Sequence, residues 1–285
     1  MNLSELQAKI KLIKSLKEKN SYSEYDLGKL QELPSFNGIV ELNFLNNKFY
    51  MVNLNNDDSV PLKYLWRGKY EEFSLEIWYQ ITRTNNYSID IGAHTGIYSI
   101  IANINKNLNN VISIEPYFLN YGRLIDNLKI NKIDTKLCFL AAASNFTGSC
   151  KFKIKAPKEF NHYKTQGGKI SQEGQLVTPA VEIDKLGINN TVDAIKIDTE
   201  GHEYEVLSGS LKTIQLYKPH IIIEINKLSF DKSFELLKSF EYRFFAIDEK
   251  DKKLNEIFNF EETLLEYEGV NCLASCKINE LKNLF

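Results

Sequence analysis

One short segment constrains the fold more than any other: residues 87–99 read Tyr-Ser-Ile-Asp-Ile-Gly-Ala-His-Thr-Gly-Ile-Tyr-Ser. An apolar run leads into Gly92, Gly96 precedes the next apolar residues, and a second apolar run ends in Glu115. Glycine at the first position lets the backbone turn sharply beside a ligand, and at the second it lets a helix start close to the strand. The pattern predicts a strand, a turn, a helix and a second strand, with a ligand crevice at the carboxyl ends of the strands.

The acidic end of the second strand indicates a nucleoside ligand, because Glu115 can accept hydrogen bonds from two ribose hydroxyls. A dinucleotide site would have Gly-x-Gly-x-x-Gly, but the turn Gly92-Ala93-His94-Thr95-Gly96 lacks the middle glycine. The sequence also lacks the Gly-x-x-x-x-Gly-Lys-Ser/Thr pattern of a P-loop. The remaining common ligand is S-adenosylmethionine, with Asp90 facing its cationic methionine end. In the alternative interpretation, the two glycines serve only helix–strand packing.

Composition narrows the possible partners and location. The chain has 285 residues, which can bury one large core, and a formal net charge of −2, which gives no broad basic field for nucleic acid. No apolar run reaches the ~18 residues of a membrane span, and the N-terminus has no signal-peptide core. The cysteines show no Cys-x-x-Cys spacing, so we expect reduced thiols and a cytoplasmic protein. They are Cys138, Cys150, Cys272 and Cys276.

The N-terminal part is predicted to form a small cap. Apolar residues recur at helical spacing over residues 3–19, which indicates an amphipathic helix that packs on its own domain or on a twin in a homodimer. Residues 39–52 alternate like a β-hairpin around a turn at Asn46-Asn47. We therefore divide the chain into a helix and hairpin cap, residues 1–80, and a second domain, residues 81–285.

Strand and helix signals alternate from Asp90 onward, as in a doubly wound α/β sheet. The predicted strands are residues 88–91, 111–115, 136–141, 194–198, 220–225, 242–247 and 270–276, and the helices are 95–103, 118–129, 204–215 and 231–240.

An insert at residues 150–181 interrupts this alternation. Its Lys-Phe-Lys-Ile-Lys run and a second β-like run predict a β-ribbon beside the crevice. Loops over rigid sheets often contact substrate, so His162, Tyr163 and Lys164 are candidate contacts, although a plain surface hairpin is the alternative.

A second dense motif, Ile195-Lys-Ile-Asp-Thr-Glu-Gly-His-Glu203, places charge in a central strand. Such a strand is usually apolar on both faces, so Lys196 and Asp198 pair with each other or serve a site, and their spacing puts them on one face. Glu200 and His202 follow at the same edge as Asp90. His202 suits general-base catalysis because its ordinary pKa is ~6.5. Alternatively, His202 only begins the next helix.

Glu224 ends the following strand at the same edge of the sheet. With Asp198 and Glu200 it offers carboxylate oxygens of the kind that Mg²⁺ prefers, so a metal site at Asp198 and Glu224 is one hypothesis. Salt bridges to Lys196 or Lys227 would use the same carboxylates.

These motifs together resemble the FkbM family of S-adenosylmethionine-dependent methyltransferases. The resemblance covers residues 70–247 and depends on Asp90-Ile-Gly-Ala-His-Thr-Gly96 and on Glu115-Pro116 with Asn127 and Asn131. It also depends on Val181-Glu-Ile-Asp184, on the motif from Ile195 to Glu203 and on residues 219–224. The family usually has Asn where this chain has His94. The resemblance implies a Rossmann-like class I methyltransferase sheet, here with the N-terminal helix and hairpin cap and an inserted β-ribbon.

The resemblance also implies methyl transfer to a hydroxyl oxygen of a sugar, nucleotide sugar or glycan. The expected cofactor-binding residues are Asp90, Gly92, Ala93, His94, Gly96, Glu115, Pro116 and Ala142. The expected catalytic residues are His202, Asp198, Glu200 and Lys196. Two alternatives stay open: methylation of nitrogen or carbon on another small molecule, and a catalytically silent cofactor-binding module with the N-terminal helix and residues 66–70 as its interface.

Overall fold

The structure is a computed structural model that describes residues 4, 5, 7–9, 11, 37–84, 86–104, 110–154, 165, 167–225, 230–259 and 270–281. The amphipathic helix predicted at residues 3–19 therefore lies largely outside the described residues.

Strands and helices alternate through most of the described chain. The strands are β1 (Asn37–Phe44), β2 (Asn47–Leu54), β3 (Tyr87–Ile91), β4 (Val111–Glu115), β5 (Cys138–Leu140), β6 (Ala142–Ala143), β7 (Gly148–Ile154), β8 (Gly168–Ile170), β9 (Leu176–Val181), β10 (Val192–Ile197), β11 (His220–Ile225), β12 (Arg243–Asp248), β13 (Lys253–Ile257) and β14 (Val270–Ser275). The helices are α1 (Ser59–Arg67), α2 (Glu72–Ile81), α3 (Ile97–Asn103), α4 (Phe118–Ile130), α5 (Glu203–Ser208), α6 (Leu211–Tyr217), α7 (Phe230–Lys238) and α8 (Ile278–Leu281), with a 3-10 turn at Ile183–Lys185.

The main sheet has the strand order β13-β12-β14-β11-β10-β3-β4-β5. The five strands from β11 to β5 are parallel neighbours, and β14 runs antiparallel to both β11 and β12. Ile89, Ile91, Ile195 and Ile197 are buried on the two central strands, as in a sheet covered on both faces. The strand order reverses between β3 and β10, and ligands bind at such a switch point. The predicted Rossmann-like α/β sheet is confirmed.

The hairpin of β1 and β2 shares its core with the main domain. Its turn is Leu45-Asn46, one residue earlier than predicted, because Phe44 pairs with Asn47. Its buried side chains and those of α3 and α4 form one cluster, which includes Val40, Leu42, Phe44, Phe49, Met51, Ile100, Leu124 and Leu128. The hairpin thus packs against α3 and α4, the helices that follow the two strands at the crevice.

Helices α1 and α2 follow the hairpin and were not predicted from the sequence. Asp58 starts α1 by accepting a hydrogen bond from the Val60 backbone N–H at 2.9 Å, and Gly68 ends the helix in the left-handed conformation at φ 78°. The carboxylate of Glu249, far along the chain, accepts hydrogen bonds from Phe73 N at 2.9 Å and Ser74 N at 3.0 Å at the start of α2. Because the residue that caps α2 is so distant along the chain, the local sequence does not predict where this helix begins.

The insert forms the predicted β-ribbon. β7 pairs with both β8 and β9, and β9 also pairs with β6, so the ribbon extends into a second sheet of order β6-β9-β7-β8. The predicted strand at 136–141 is correspondingly shorter, because the chain leaves the main sheet after Leu140 and joins this second sheet at Ala142. His162, Tyr163 and Lys164 lie outside the described residues.

One predicted helix, residues 204–215, is two helices, α5 and α6. They are separated at Gly209 and Ser210, where a Cβ on Gly209 would overlap the backbone carbonyl of Ser144. The close approach of a loop therefore breaks a helix that the local sequence favours. Strand β13 was also not predicted. Among the described residues, no helix is long and apolar enough to cross a membrane.

Candidate active site

A cavity of about 280 Å³ lies at the carboxyl ends of β3, β4 and β10. It brings together residues from both sequence motifs, which are about a hundred positions apart. The predicted cofactor residues that line it are Asp90, Gly92, Ala93, His94, Glu115, Pro116 and Ala142, and the predicted catalytic residues that line it are Lys196, Asp198, Glu200 and His202.

Two glycines shape the turn after β3. Gly92 has φ 76°, and a Cβ there would overlap the backbone carbonyl of Asp198, so only glycine fits between the two strand ends. Gly96 has φ 96°, and a Cβ there would press on the side chain of Leu124 in α4. Gly96 is absent from the cavity lining, so its contribution is the close packing of α3 and α4.

Glu115 at the end of β4 is 4% exposed, yet it borders the cavity. One carboxylate oxygen accepts a hydrogen bond from His94 N at 2.9 Å. The other accepts hydrogen bonds from Tyr117 N at 2.9 Å and Asn120 Nδ2 at 3.2 Å. Burial raises the pKa of Glu115, while His94 and these hydrogen bonds counteract the rise. The carboxylate is thus fixed in orientation with acceptor capacity left for a ligand.

Asp90 is the acidic residue at the cavity end of β3, and it is 1% exposed. Its Oδ2 accepts a hydrogen bond from Ser99 Oγ at 2.6 Å, and Ser99 Oγ lies 2.7 Å from Ser113 Oγ. Burial raises the pKa of Asp90 to about 6, against the opposing effect of Ser99. At pH 7 the group is therefore mainly a buried carboxylate.

His94 occupies the position where the resemblance leads one to expect Asn. Its backbone is left-handed at φ 51°, a conformation for which Asn and His are better suited than most residues. The turn directs the His94 N–H at Glu115, and the imidazole charge lowers the pKa of both Asp58 and Glu115 against the effect of burial. His94 thus adds an imidazole to the cofactor side of the cavity.

Lys196 and Asp198 form the pair that strand spacing predicts. Lys196 is 1% exposed, and its Nζ lies 3.4 Å from Asp198 Oδ2 and donates to Asn271 Oδ1 at 3.1 Å. Burial lowers the pKa of Lys196, but the charges of Asp198 and Glu71 outweigh burial, and the net pKa is raised. Lys196 is therefore a buried cation, which its neighbouring carboxylates stabilise.

Lys196 has further polar neighbours that the sequence did not predict. Glu71 Oε2 accepts hydrogen bonds from Tyr98 Oη at 2.7 Å and from Asn271 Nδ2 at 3.2 Å. The Lys196 ammonium also lies 5.0 Å from the centre of the Tyr98 ring. Tyr70 and Tyr98 both line the cavity.

Asp198 and Glu224 follow the paired residues Ile197 and Ile223 on neighbouring strands, and the charge of Asp198 raises the pKa of Glu224 to about 8. No cluster of three or more metal-binding side chains occurs among the described residues, so the Mg²⁺ hypothesis gains no support. The Asp198 carboxylate instead forms an ion pair with Lys196 and lies beside Glu224 on the neighbouring strand. Lys227, the alternative salt-bridge partner, lies outside the described residues.

The loop after β10 carries Glu200 and His202 into the cavity. The buried carboxylate of Glu203 accepts hydrogen bonds from Thr199 N at 3.2 Å and Gly201 N at 2.9 Å, which fixes Glu200 in a left-handed conformation at φ 57°. His202 Nε2 lies 2.9 Å from Ser144 Oγ. Burial lowers the pKa of His202, so the imidazole is neutral at pH 7.

The mixed sheet, its switch-point cavity and the acid at the end of β4 define a class I methyltransferase fold. The chain belongs to the FkbM methyltransferase family, since residues 90–250 match the model of the methyltransferase FkbM domain. No curated protein matches the chain.

Solved structures resemble the chain at low identity. A methyltransferase FkbM from Methylobacillus flagellatus is 17% identical with a TM-score of 0.42, and the match covers 75% of this chain and 52% of that protein. TYW2 from M. jannaschii, solved with AdoMet, is 12% identical with a TM-score of 0.42, covering 85% and 86% of the two chains. Precorrin-6y C5,15-methyltransferase from Geobacter metallireducens is 14% identical with a TM-score of 0.38, covering 73% and 88%. The present chain thus spans about half of the M. flagellatus protein.

Proposed function

We propose that the protein transfers a methyl group from S-adenosylmethionine to a hydroxyl oxygen of a sugar, nucleotide sugar or glycan. The observation that carries the proposal is that one cavity joins the fixed carboxylate of Glu115 to the polar side chains of Lys196, Asp198, Glu200 and His202, which we call the acceptor side. The family supports methyl transfer, and the cavity supports a nucleoside ligand next to a polar acceptor.

The residues of the cofactor side fit S-adenosylmethionine. Glu115 is oriented to accept hydrogen bonds from a ribose, and Asp90 is a buried carboxylate beside the turn at Gly92, suited to a cationic ligand group. Pro116 and Ala142 add apolar surface to the same side. When bound, S-adenosylmethionine supplies an electrophilic methyl group on a sulfonium.

The acceptor side can align the acceptor hydroxyl and can accept its proton. Asp198 and Glu200 can accept hydrogen bonds from hydroxyl groups, and alignment of reacting atoms supplies as much as ~7 to 11 kcal/mol in favourable cases. A neutral hydroxyl must also lose its proton, and a positioned base contributes ~10² to 10⁴-fold. Neutral His202 and ionised Asp198 are the two candidates for this base.

The cap belongs to the same proposal. We assign residues 1–80 to the cap and residues 81–285 to the methyltransferase domain. Ser59, Val60 and Tyr70 from the cap line the cavity, so the cap contributes to acceptor selection. A cytoplasmic location, a homodimer and the exclusion of nucleic acid as acceptor stay predictions.

The acidic acceptor side also favours a second candidate, methyl transfer to an amine, because Asp198 and Glu200 would attract an ammonium group. The two candidates separate in one assay. S-adenosylhomocysteine release is measured with S-adenosylmethionine and a panel of methyl glycosides, nucleotide sugars and the matching amino sugars. Release with the neutral glycosides or nucleotide sugars supports the proposal, whereas release with amino sugars alone replaces it by N-methylation. Tight binding of S-adenosylmethionine with no release from any acceptor would indicate a silent module.

A further inference from the structure

Asp198 and Glu224 are neighbours across the sheet. Asp198 directly follows β10, whose Ile197 pairs with Ile223 of β11, so the next residue on each strand comes side by side. The charge of Asp198 raises the pKa of Glu224, as expected for two carboxyl groups at adjacent positions of neighbouring strands. Two ionised carboxylates at adjacent positions repel each other, which favours one proton on the pair.

The charges around Asp198 and Glu224 decide which of the two carboxyl groups is protonated. Lys196 Nζ lies 3.4 Å from Asp198 Oδ2, and its charge lowers the pKa of Asp198 against the effect of burial. The negative charge of Asp198, followed by burial, raises the pKa of Glu224 to about 8. At pH 7 Asp198 is therefore the carboxylate, and Glu224 is the neutral acid beside it.

The two residues also differ in access to the cavity. Asp198 lines the cavity, and its side chain is 41% exposed, whereas Glu224 is absent from the lining. The competing base, His202, is 18% exposed. Its Nε2 is in contact with Ser144 Oγ at 2.9 Å, and its Nδ1 lies 3.5 Å from Glu205 Oε2. Both ring nitrogens of the mostly buried His202 thus have protein partners, while Asp198, although Lys196 contacts its Oδ2, presents an exposed carboxylate to the ligand space.

We propose that Asp198 is the base that takes the proton from the acceptor hydroxyl, and that Glu224 is a positioning residue that holds the Asp198 carboxylate through the proton it donates. The inference rests on the proposed transfer to oxygen and names the base for it. Lys196 contacts the Asp198 carboxylate as well, and Asn271 fixes the position of Lys196 by accepting a hydrogen bond from its Nζ at 3.1 Å.

The proton and charge balance is simple. The acceptor O–H bond breaks, its proton goes to a carboxylate oxygen of Asp198, and its electron pair stays on oxygen. That oxygen bonds to the methyl carbon as the carbon–sulfur bond breaks with its pair on sulfur. Asp198 becomes a neutral acid and the sulfonium charge is lost, so one negative and one positive charge disappear together.

Substitutions at three positions test the assignment with methyl glycosides as the acceptor probe. Asp198→Asn should lower kcat at least 100-fold, whereas His202→Gln should lower it less than tenfold. Glu224→Gln, which still donates a hydrogen bond, should keep kcat within about threefold at pH 7, while Glu224→Leu, which cannot donate, should lose at least tenfold. The wild-type kcat should fall above pH about 8, where Glu224 loses its proton, and Glu224→Gln should lack that fall.

Infrared titration gives a second readout that needs no turnover. The wild-type protein should show a protonated carboxyl band at pH 7, and this band should disappear as the pH rises through about 8. The band should be missing in Glu224→Gln. It should be present in Glu235→Gln, which replaces an exposed carboxyl group and serves as the control. Absence of that band, or a larger loss in His202→Gln than in Asp198→Asn, overturns the inference. Turnover of amino sugars without any neutral acceptor overturns the proposed function instead, and the infrared band still decides whether the Asp198–Glu224 pair shares a proton.

Discussion

Asn127 in α4 pairs with the backbone of Val52 in the hairpin: its Oδ1 accepts a hydrogen bond from Val52 N at 2.7 Å. Its Nδ2 donates to the carbonyl of Thr95 at 2.7 Å, in the turn that borders the cavity. Directly after the end of α4, Asn131 accepts from Tyr50 N at 2.8 Å and donates to Tyr50 O at 2.6 Å. One side chain of α4 and one from the residue that caps it thus bond to backbone groups at the outer edge of β2 in the way that another strand would.

Replacing Asn127 tests this role. Asn127→Ala leaves the Val52 N–H and the Thr95 carbonyl without their partner in a buried site, so we expect a loss of about 2 to 4 kcal/mol in the free energy of unfolding. Urea denaturation measures it, with Asn43→Ala on the exposed face of β1 as the control, expected within about 0.5 kcal/mol of wild type. Equal stability of the two variants would show that the hairpin needs no such pairing.

The parts of the fold that the sequence predicts are those with a local cause. The strand, turn and helix at Gly92 and Gly96 follow from apolar runs and glycine sterics within a few residues, and β4 and β11 have the predicted bounds. The two motifs also meet at one cavity as predicted, because parallel strands place their carboxyl ends at one edge.

The parts that the sequence does not reveal depend on distant contacts. Glu71 and Asn271 are 200 residues apart, yet they hydrogen-bond next to Lys196. Likewise, the break between α5 and α6 comes from the approach of Ser144 to Gly209. Neither relationship leaves a periodic pattern, although a buried lysine in a central strand does indicate that compensating carboxylates must come from elsewhere.

Gly92 should tolerate no side chain. Gly92→Ala combines an unfavourable positive φ with a clash against the Asp198 backbone, so it should cost at least ~2 kcal/mol more than strain alone. The matched control is Gly187→Ala, which has φ 67° but open space around the added Cβ and so reports the backbone strain alone. Thermal and urea unfolding of both variants measure the difference, and equal losses would remove the steric argument for this turn.

Glu115 should decide the affinity for S-adenosylmethionine. Charge-assisted hydrogen bonds contribute about 1.5 to 3 kcal/mol, so Glu115→Ala should weaken binding roughly 10- to 100-fold, and Glu115→Gln should weaken it less. Calorimetric titration measures the affinity, and NAD serves as a ligand that should not bind. Unchanged affinity in Glu115→Ala would place the nucleoside elsewhere.

Asp90 should make cofactor binding sensitive to acid. Its raised pKa of about 6 means that the carboxylate becomes neutral as the pH falls through this value, so its attraction for a cationic ligand is lost below pH 6. We expect the dissociation constant of S-adenosylmethionine to rise between pH 7 and pH 5. Asp90→Asn should bind more weakly at pH 7 and lose this dependence, whereas Asp126→Asn on the exposed face of α4 should retain it.

Glu224 should lower the stability of the folded protein in alkali. Its pKa is raised from the ordinary 4.5 to about 8, so the folded state favours the protonated form; that contribution is complete below pH 4.5 and disappears as the pH rises through about 8. Glu224→Gln has no such proton to lose. Between pH 6 and pH 9, the stability of Glu224→Gln relative to wild type should therefore increase, by on the order of 2 kcal/mol. Urea denaturation at the two pH values measures the change, and the exposed Glu235→Gln should show none.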